Sequence, residues 1–306
     1  MALPKIYTDE TTARKHLEKL LWPEGPVCPH CGVVNEATKL KGKSTRPGVY
    51  KCRACEKPFT VTVGTVFERS KIPLHMWVYA TDLLTSSKKG MSAHQIHRML
   101  KVTYKTAWFM CHRIREAMKE LTPAPMGATG GAVQADETYY GNTSKRAKGY
   151  KKGHKNKASV LALVDEHTGH ARAFHVEGGM TIDKLCAIVF TNALRKATLV
   201  TDEAGIFKAP GAQFGDHQTV WHAAGEYVND QGFTTNNVEN FFGVFKRGMR
   251  GTYHFCGEQH LQRYLTEFSF RYNRRSGLGI EDAERGELAL KGIQNKRLTY
   301  RQPHAN

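Results

Sequence analysis

Residues 235–251, TNNVENFFGVFKRGMRG, have the pattern of an amphipathic helix around which the rest of the chain is organised. Its apolar residues recur at spacings of three and four and form one face: Val238, Phe241, Phe242 and Phe245. Glu239 lies beside that face, and Lys246 returns to nearly the same side two helical turns later. The sequence therefore predicts a core helix that presents an acid and a base toward the same neighbour.

Two segments upstream are predicted to be strands that end in an acid. Residues 131–138, GAVQADET, carry Asp136, and residues 197–203, ATLVTDE, carry Asp202. Similar patterns predict three more strands, at 158–165, 169–176 and 219–223, and a helix at 181–194. This is the element order of an α/β, RNase H-like fold, a mixed sheet with flanking helices. In that fold two neighbouring strand ends and a later helix converge on one sheet edge.

Three carboxylates at one sheet edge suit phosphodiester chemistry. A pair of Mg²⁺ ions about 4 Å apart can hold both the attacking and the leaving oxygen of an in-line displacement, and Mg²⁺ prefers oxygen ligands. A single acid at a strand end is usually a solvated turn residue. The ordered set of Asp136, Asp202 and Glu239 is what favours a metal site.

Four blocks of the sequence carry a resemblance to a known family: QADETYYG at 134–141, ATLVTDE at 197–203, TNNVENFFGVFKRGMRGTYH at 235–254 and HLQRYLTEFSFRYNRR at 260–275. They resemble the DDE transposases of bacterial insertion sequences, in the class with an N-terminal zinc ribbon. The resemblance implies an RNase H-like catalytic domain that cleaves and transfers DNA strands with Mg²⁺ or Mn²⁺. It also implies that Asp136, Asp202 and Glu239 are catalytic and hold the metal ions. In this family a basic residue follows the catalytic glutamate by two helical turns. Lys246 stands at that position relative to Glu239, and we therefore expect it to be one of the catalytic residues.

Four cysteines near the N-terminus have the spacing of a zinc site. Cys28 and Cys31 form one Cys-X-X-Cys pair, and after 20 intervening residues Cys52 and Cys55 form another. Four thiolates leave no open coordination position, so the predicted Zn²⁺ is structural rather than catalytic. The short strands around it are too few to build a core, and metal binding is expected to supply much of the folding free energy.

The next segment has the pattern of three helices, predicted at 73–87, 92–100 and 104–121. The short turn between the second and third is typical of a helix-turn-helix. On this interpretation Lys105, Arg113 and Arg115 contact DNA. The alternative is a generic three-helix bundle with a solvated charged face, and the net basicity of the chain favours DNA binding.

Two further basic clusters are candidates for DNA contact. The loop predicted at 139–157 carries Lys145, Arg146, Lys151 and Lys152 beside the first catalytic strand, where cations would meet phosphates. Charge runs are more often only solvated, but this position favours substrate contact. A helix predicted at 257–272 leads into a second cluster, in which Arg274 and Arg275 are expected to grip the DNA backbone.

Composition agrees with a nucleic-acid partner. The 306 residues include 45 Lys and Arg against 28 Asp and Glu, a formal net charge of +17, which favours polyanionic partners. No run of 18 apolar residues is present, so a cytoplasmic, nucleoid-associated bacterial protein without membrane contact is expected. The predicted domains are a helix and zinc ribbon (1–70), a helical DNA-binding module (71–125), a DDE transposase domain (126–280) and a basic C-terminal tail (281–306). A weak helix is predicted at the start of that tail.

The preferred interpretation is a transposase that binds the terminal inverted repeats of an insertion sequence and transfers them to target DNA. Cutting two DNA ends implies a homodimer or a higher oligomer on DNA. Two alternatives stay open at this stage. One is a zinc-ribbon DNA-binding regulator with an inactive catalytic domain, and the other is a structure-selective, RNase H-like nuclease.

Overall fold

The computed structural model describes residues 3–128, 130–141 and 157–299. The chain divides into two compact units. The N-terminal unit combines the residues up to Lys119 with those from Ile280 onward, and the central unit spans Glu120–Gly279. None of the described helices is both long and apolar enough to cross a lipid bilayer.

The N-terminal unit begins with a helix, a small sheet and three further helices. These are α1 (Glu10–Leu21), β1 (Ala37–Lys39), β2 (Tyr50–Cys52), β3 (Pro58–Phe59), α2 (Leu74–Ser86), α3 (Ala93–Leu100) and α4 (Tyr104–Ala117). The three strands pair antiparallel in the order β1-β2-β3. Strand β1 had no signal in the sequence, because three polar or small residues satisfy no strand pattern.

Local capping explains where α3 and α4 begin. The side chain of Ser92 accepts a hydrogen bond from the backbone N–H of Gln95 at 3.2 Å, and Thr103 does the same for Thr106 at 3.2 Å. Lys101 ends α3 in the left-handed conformation, with φ of 53°, which reverses the chain within three residues. The predicted helix-turn-helix-like arrangement is present.

The central unit contains a five-stranded sheet and flanking helices. Its elements are β4 (Val133–Tyr140), β5 (Ala158–Asp165), β6 (Ala171–Val176), α5 (Ile182–Asn192), β7 (Thr198–Asp202), α6 (Lys208–Gly211), β8 (Asp216–Val220), α7 (Asn236–Gly248) and α8 (Leu261–Tyr272). The strand order is β6-β5-β4-β7-β8. β4 pairs antiparallel with β5 and parallel with β7, so the sheet is mixed. The predicted RNase H-like α/β fold, preceded by a zinc ribbon, is confirmed.

Alternation along β5 gives the sheet two apolar faces. Val160 and Ala162 point to a core shared with the phenylalanines of α7 and the apolar side of α8. Leu161 and Leu163 point the other way, to a core that includes α5. Every residue of β5 is buried, as expected for a strand that is covered on both faces of the sheet.

One predicted strand is shifted in position. The sequence indicated a strand at 219–223, whereas β8 runs Asp216–Val220 and pairs with β7 along its whole length. The strand ends there because the carboxylate of Glu203 accepts hydrogen bonds from the backbone N–H groups of His222 and Ala223 at 3.0 and 3.1 Å. These bonds turn the chain away from the sheet.

The segment after residue 280 returns to the N-terminal unit and forms α9 (Asp282–Lys291), which packs on α2. Arg285 is buried there and donates to the carbonyl oxygen of Thr85 at 3.2 Å. A side chain at Gly292 would meet the carbonyl oxygen of Ala117 at 2.3 Å, so only glycine permits this approach. The weak helix predicted at the start of the basic tail is therefore present as α9, and it packs on α2.

Candidate active site

Strands β4 and β7 bring two acidic residues to neighbouring positions in the sheet. The parallel register aligns Gln134 with Val200, and Asp136 and Asp202 each follow two residues later. Asp202 is the last residue of β7, as predicted, whereas Asp136 lies in the middle of β4, which continues to Tyr140. The prediction that Asp136 ends its strand is therefore wrong, although its position beside Asp202 is as expected.

Helix α7 is fixed to the same strand through Gln134. The buried side-chain oxygen of Gln134 accepts hydrogen bonds from the backbone N–H groups of Asn237 and Val238 at 3.0 and 3.2 Å. These are among the N–H groups that have no partner within a helix. Glu239 follows directly, and this contact therefore places its carboxylate beside the acids of β4 and β7.

The three carboxylates interact electrostatically. Burial, followed by the charges of Asp202, Glu137 and Glu239, raises the pKa of Asp136 to about 7. Burial also raises the pKa of Asp202, and the charges of Glu203 and Glu239 add to that effect. Like charges that raise one another's pKa in this way favour a bound cation or a shared proton. The set predicted from the sequence is thus brought together.

The chemistry of this donor set fits Mg²⁺ or Mn²⁺, which bind carboxylate oxygens and retain several waters. Among the described residues, the four N-terminal cysteines are the one group of three or more potential ligands whose atoms all lie within 4.8 Å of one another. The ligand oxygens of the three acids are therefore not all that close together.

Glu137 is an acid at this edge that sequence reasoning did not single out. Burial, followed by the charge of Asp202, raises its pKa. Its Oε2 atom is buried and accepts no hydrogen bond from any residue that the structure describes. Its position next to Asp136 in the block QADETYYG was the available signal. However, successive residues of a strand point to opposite faces of the sheet, so Glu137 lies on the face opposite to Asp136, on the same side as its cross-strand neighbour Leu161.

His222 lies beside Glu239. Its Nε2 atom is 3.1 Å from Glu239 Oε1 and 2.8 Å from the hydroxyl oxygen of Thr235. Lys246 is half-buried on α7, with its Nζ 5.8 Å from the centre of the Phe242 ring. The base predicted on this helix thus lies two turns beyond the acid.

The four cysteines form the second candidate metal centre. The sulfur atoms of Cys28 and Cys55 are 3.6 Å apart, as are those of Cys31 and Cys52. Zn–S bonds of about 2.3 Å in tetrahedral geometry require about 3.8 Å between sulfurs, so the four thiols fit one zinc ion. The predicted structural zinc is supported by this geometry.

The basic residues predicted to contact DNA differ in their surroundings. In α4, Lys105 is exposed, Arg115 is buried, and Arg113 donates to the carbonyl oxygens of Leu298 and Glu68 at 3.1 and 3.3 Å. After α8, Arg274 pairs with Glu120 at 2.9 Å.

Arg275 also has internal partners, since it donates to the carbonyl oxygens of Gly169 and Tyr272 at 3.0 and 2.7 Å. The basic loop residues fall outside the part of the chain that the structure describes; they are Lys145, Arg146, Lys151 and Lys152. Of the described candidates, Lys105 is the one with an exposed side chain.

Comparison with known proteins adds a relative of nearly the same length. A Halobacterium salinarum protein described as an uncharacterized protein in transposable element ISH50 is 25% identical over 284 residues, covering 87% of this chain and 92% of the relative. Among solved structures, a chain of the simian T-cell lymphotropic virus intasome in complex with PP2A regulatory subunit B56 gamma is 12% identical. That match covers 57% of this chain and 63% of the viral complex's chain, less than two thirds, with a TM-score of 0.30. This likeness is too low to bear on the fold.

Two family models match successive parts of the sequence. Residues 8–58 match the transposase zinc-ribbon domain, and residues 128–273 match the ISXO2-like transposase domain. The first range contains all four cysteines, and the second contains Asp136, Asp202 and Glu239. The chain belongs to the family of insertion-sequence transposases that join an N-terminal zinc ribbon to an ISXO2-like transposase domain.

Proposed function

We propose that this protein binds the ends of an insertion sequence and catalyses metal-dependent cleavage and transfer of DNA strands. The observation that carries the proposal is the meeting of Asp136, Asp202 and Glu239 at one site in the sheet, where burial and the charges of Asp202, Glu137 and Glu239 raise the pKa of Asp136 to about 7. Membership of the transposase family supports the substrate class.

Within this proposal the acids hold Mg²⁺ or Mn²⁺. When bound, the ions activate the attacking oxygen and stabilise the leaving oxygen. Asp136 and Asp202 are held by the sheet, and Glu239 by a helix that Gln134 fixes to the same strand. Lys246, two turns along that helix, attracts the phosphate backbone. Water and then a freed 3′-hydroxyl act as nucleophiles, so no covalent bond between protein and DNA is needed.

The remaining parts of the chain are assigned to DNA recognition. We assign residues 1–70 and 71–125 to binding the inverted repeats and residues 126–280 to catalysis, with Lys105 and the basic loop contacting phosphates. Arg113, Arg115, Arg274 and Arg275 have structural surroundings that make them weaker candidates. Two DNA ends require at least two protomers.

The experiment uses purified protein, Mg²⁺ and a supercoiled plasmid that carries the DNA flanking this gene. We expect new 3′ ends at the boundaries of inverted repeats and joined products, both lost in Asp202→Asn. Binding of the same DNA should persist in that variant, because one carboxylate contributes little to a contact dominated by cations.

Asp216→Asn is the matched control. Asp216 is exposed at the opposite end of the neighbouring strand β8, so its loss should leave cleavage unchanged. Binding without any cut, with Mg²⁺ or Mn²⁺, would instead indicate a regulator with an inactive catalytic domain. Cleavage that does not depend on an end sequence and gives no joined product would indicate an RNase H-like nuclease.

A further inference from the structure

Three side chains form a closed set of contacts at the start of α7. The hydroxyl of Thr235 donates to Glu239 Oε1 at 3.0 Å. His222 Nε2 lies 2.8 Å from that hydroxyl oxygen and 3.1 Å from the same carboxylate oxygen. A neutral imidazole with its proton on Nε2 satisfies both contacts, because it donates toward the oxygens while the threonine hydroxyl donates onward.

We infer that His222 and Thr235 are positioning residues for Glu239, holding one oxygen of its carboxylate so that the other is presented to a divalent cation. The inference rests on the proposed function and adds two residues to its site. Among the described residues, the hydrogen bonds to this carboxylate all end on Oε1. Oε2 is thereby left for a cation held jointly with the acids of β4 and β7.

The position of Glu239 explains why such a device is needed. Its side chain is 45% exposed, and an exposed glutamate loses rotamer entropy when it is fixed by a ligand. Thr235 is buried and therefore rigid. The two contacts reduce the freedom of the carboxylate before any cation arrives, which lowers the cost of binding.

The contacts also join the segments that carry the acids. The backbone N–H of His222 donates to Glu203, which directly follows Asp202 at the end of β7. The side chain of His222 reaches Thr235 and Glu239 at the start of α7. A displacement of the start of α7 relative to β7 would break these contacts. His222 and Thr235 therefore fix the position of Glu239 relative to Asp202. Partners of metal-binding carboxylates typically change metal affinity 10- to 100-fold when they are removed.

The test measures Mn²⁺ binding to the full-length protein without DNA, from the loss of the free Mn²⁺ signal in electron paramagnetic resonance. His222→Ala and Thr235→Val should each weaken carboxylate-dependent binding by about 10- to 100-fold. His222→Gln and Thr235→Ser retain a donor near the original position and should recover most of the affinity. The double variant should lose little more than either single one, because the two residues act as one unit.

The matched control is His217→Ala. His217 lies on β8, the strand that precedes His222, and its Nε2 is 3.0 Å from the hydroxyl oxygen of Thr201. Loss of this contact should leave Mn²⁺ affinity within about twofold of the wild type, since it holds no carboxylate. Circular dichroism at the assay temperature checks that each variant is folded. If His222→Ala or Thr235→Val is unfolded, the two conservative variants provide the comparison.

The outcomes separate the two proposals. Wild-type affinity in folded His222→Ala and Thr235→Val, together with binding that is lost in Asp202→Asn, would overturn the positioning role and leave the proposed function intact. If the wild-type protein shows no Asp202-dependent binding of Mn²⁺ and cuts no DNA, both the proposed function and the positioning role are overturned. Weakened binding that the conservative variants restore supports both.

Discussion

The carboxyl group of Asp136 has an unusual environment at the scale of single residues. Burial raises its pKa to about 7, and the nearby charges of Asp202, Glu137 and Glu239 contribute to this shift. The metal-free protein therefore holds a carboxylate whose ionised form is disfavoured. A residue kept in place at such a cost is typical of a functional site, where a bound cation reverses the penalty.

This environment predicts the effect of Asp136→Asn on stability. The native pKa of about 7 lies above 3.8, the ordinary pKa of an aspartate side chain, so the native state binds a proton more tightly than the unfolded state. Between these two pH values the contribution of Asp136 to stability falls as the pH rises, and above about pH 7 the full penalty applies. A shift of this size corresponds to at most about 4 kcal/mol.

We therefore expect Asp136→Asn to raise the midpoint of thermal unfolding at pH 8 in EDTA-free, metal-depleted buffer, with a much smaller gain at pH 5. Scanning calorimetry at both pH values measures the difference. Asp216→Asn, at an exposed position, should change neither. An equal gain at both pH values would contradict the proposed electrostatic cause.

At the scale of elements, α8 completes the sheet. β6 is an edge strand, and edge strands leave backbone groups without partners. Asn273, just after α8, accepts from the N–H of Ala171 at 2.6 Å and donates to its carbonyl oxygen at 3.0 Å. Gln262, at the other end of the helix, does the same for the N–H of His175 and the carbonyl oxygen of Ala173. Two amide side chains therefore replace part of a missing strand.

This arrangement predicts a clear loss of stability in Asn273→Ala. The substitution would leave the backbone N–H and carbonyl oxygen of the buried residue Ala171 without their side-chain partner. We expect unfolding free energy to fall by about 2–3 kcal/mol, measured by urea denaturation. Asn240→Ala, at an exposed position on α7, should cost less than about 1 kcal/mol. Equal effects of the two substitutions would contradict the role of Asn273 at the sheet edge.

At the scale of the whole molecule, the central unit and the zinc ribbon are stabilised in different ways. The central unit has extensive apolar packing on both faces of its sheet. The zinc ribbon consists of strands of only two or three residues around four thiols. A sheet of that size cannot bury enough apolar surface to fold by itself, so zinc binding supplies the difference.

Removal of zinc should therefore affect one part of the chain. With a zinc chelator, or in Cys52→Ser, we expect hydrogen exchange to accelerate strongly across residues 28–59 while β5 and β7 keep their protection. Exchange followed by mass spectrometry resolves these segments. Cys186→Ser, a cysteine on α5 outside the cluster, provides the control. Uniform loss of protection across both units would contradict the local role of zinc.

Features that depend on nearby residues were predictable. Apolar spacing predicted α7, alternation and apolar runs predicted β4, β5 and β7, and paired cysteines predicted the zinc ribbon. The shift of β8 was not predictable. The strand ends where the carboxylate of Glu203 accepts hydrogen bonds from backbone N–H groups that lie 19 and 20 residues away in the chain. The packing of α9 on α2 was missed for the same reason, since its partner lies in a segment about 200 residues earlier.

Local sequence patterns were enough to identify the acids of the site and the elements that carry them: Asp136 and Asp202 on two strands and Glu239 on one helix. How those residues are held depends on contacts between distant parts of the chain. Gln134 binds the start of α7 across 103 residues of chain, and His222 meets Thr235 and Glu239 only because β8 lies beside β7. Periodicity and spacing record the conformation of neighbouring residues. Such contacts arise from the packing of distant elements, which no local pattern specifies.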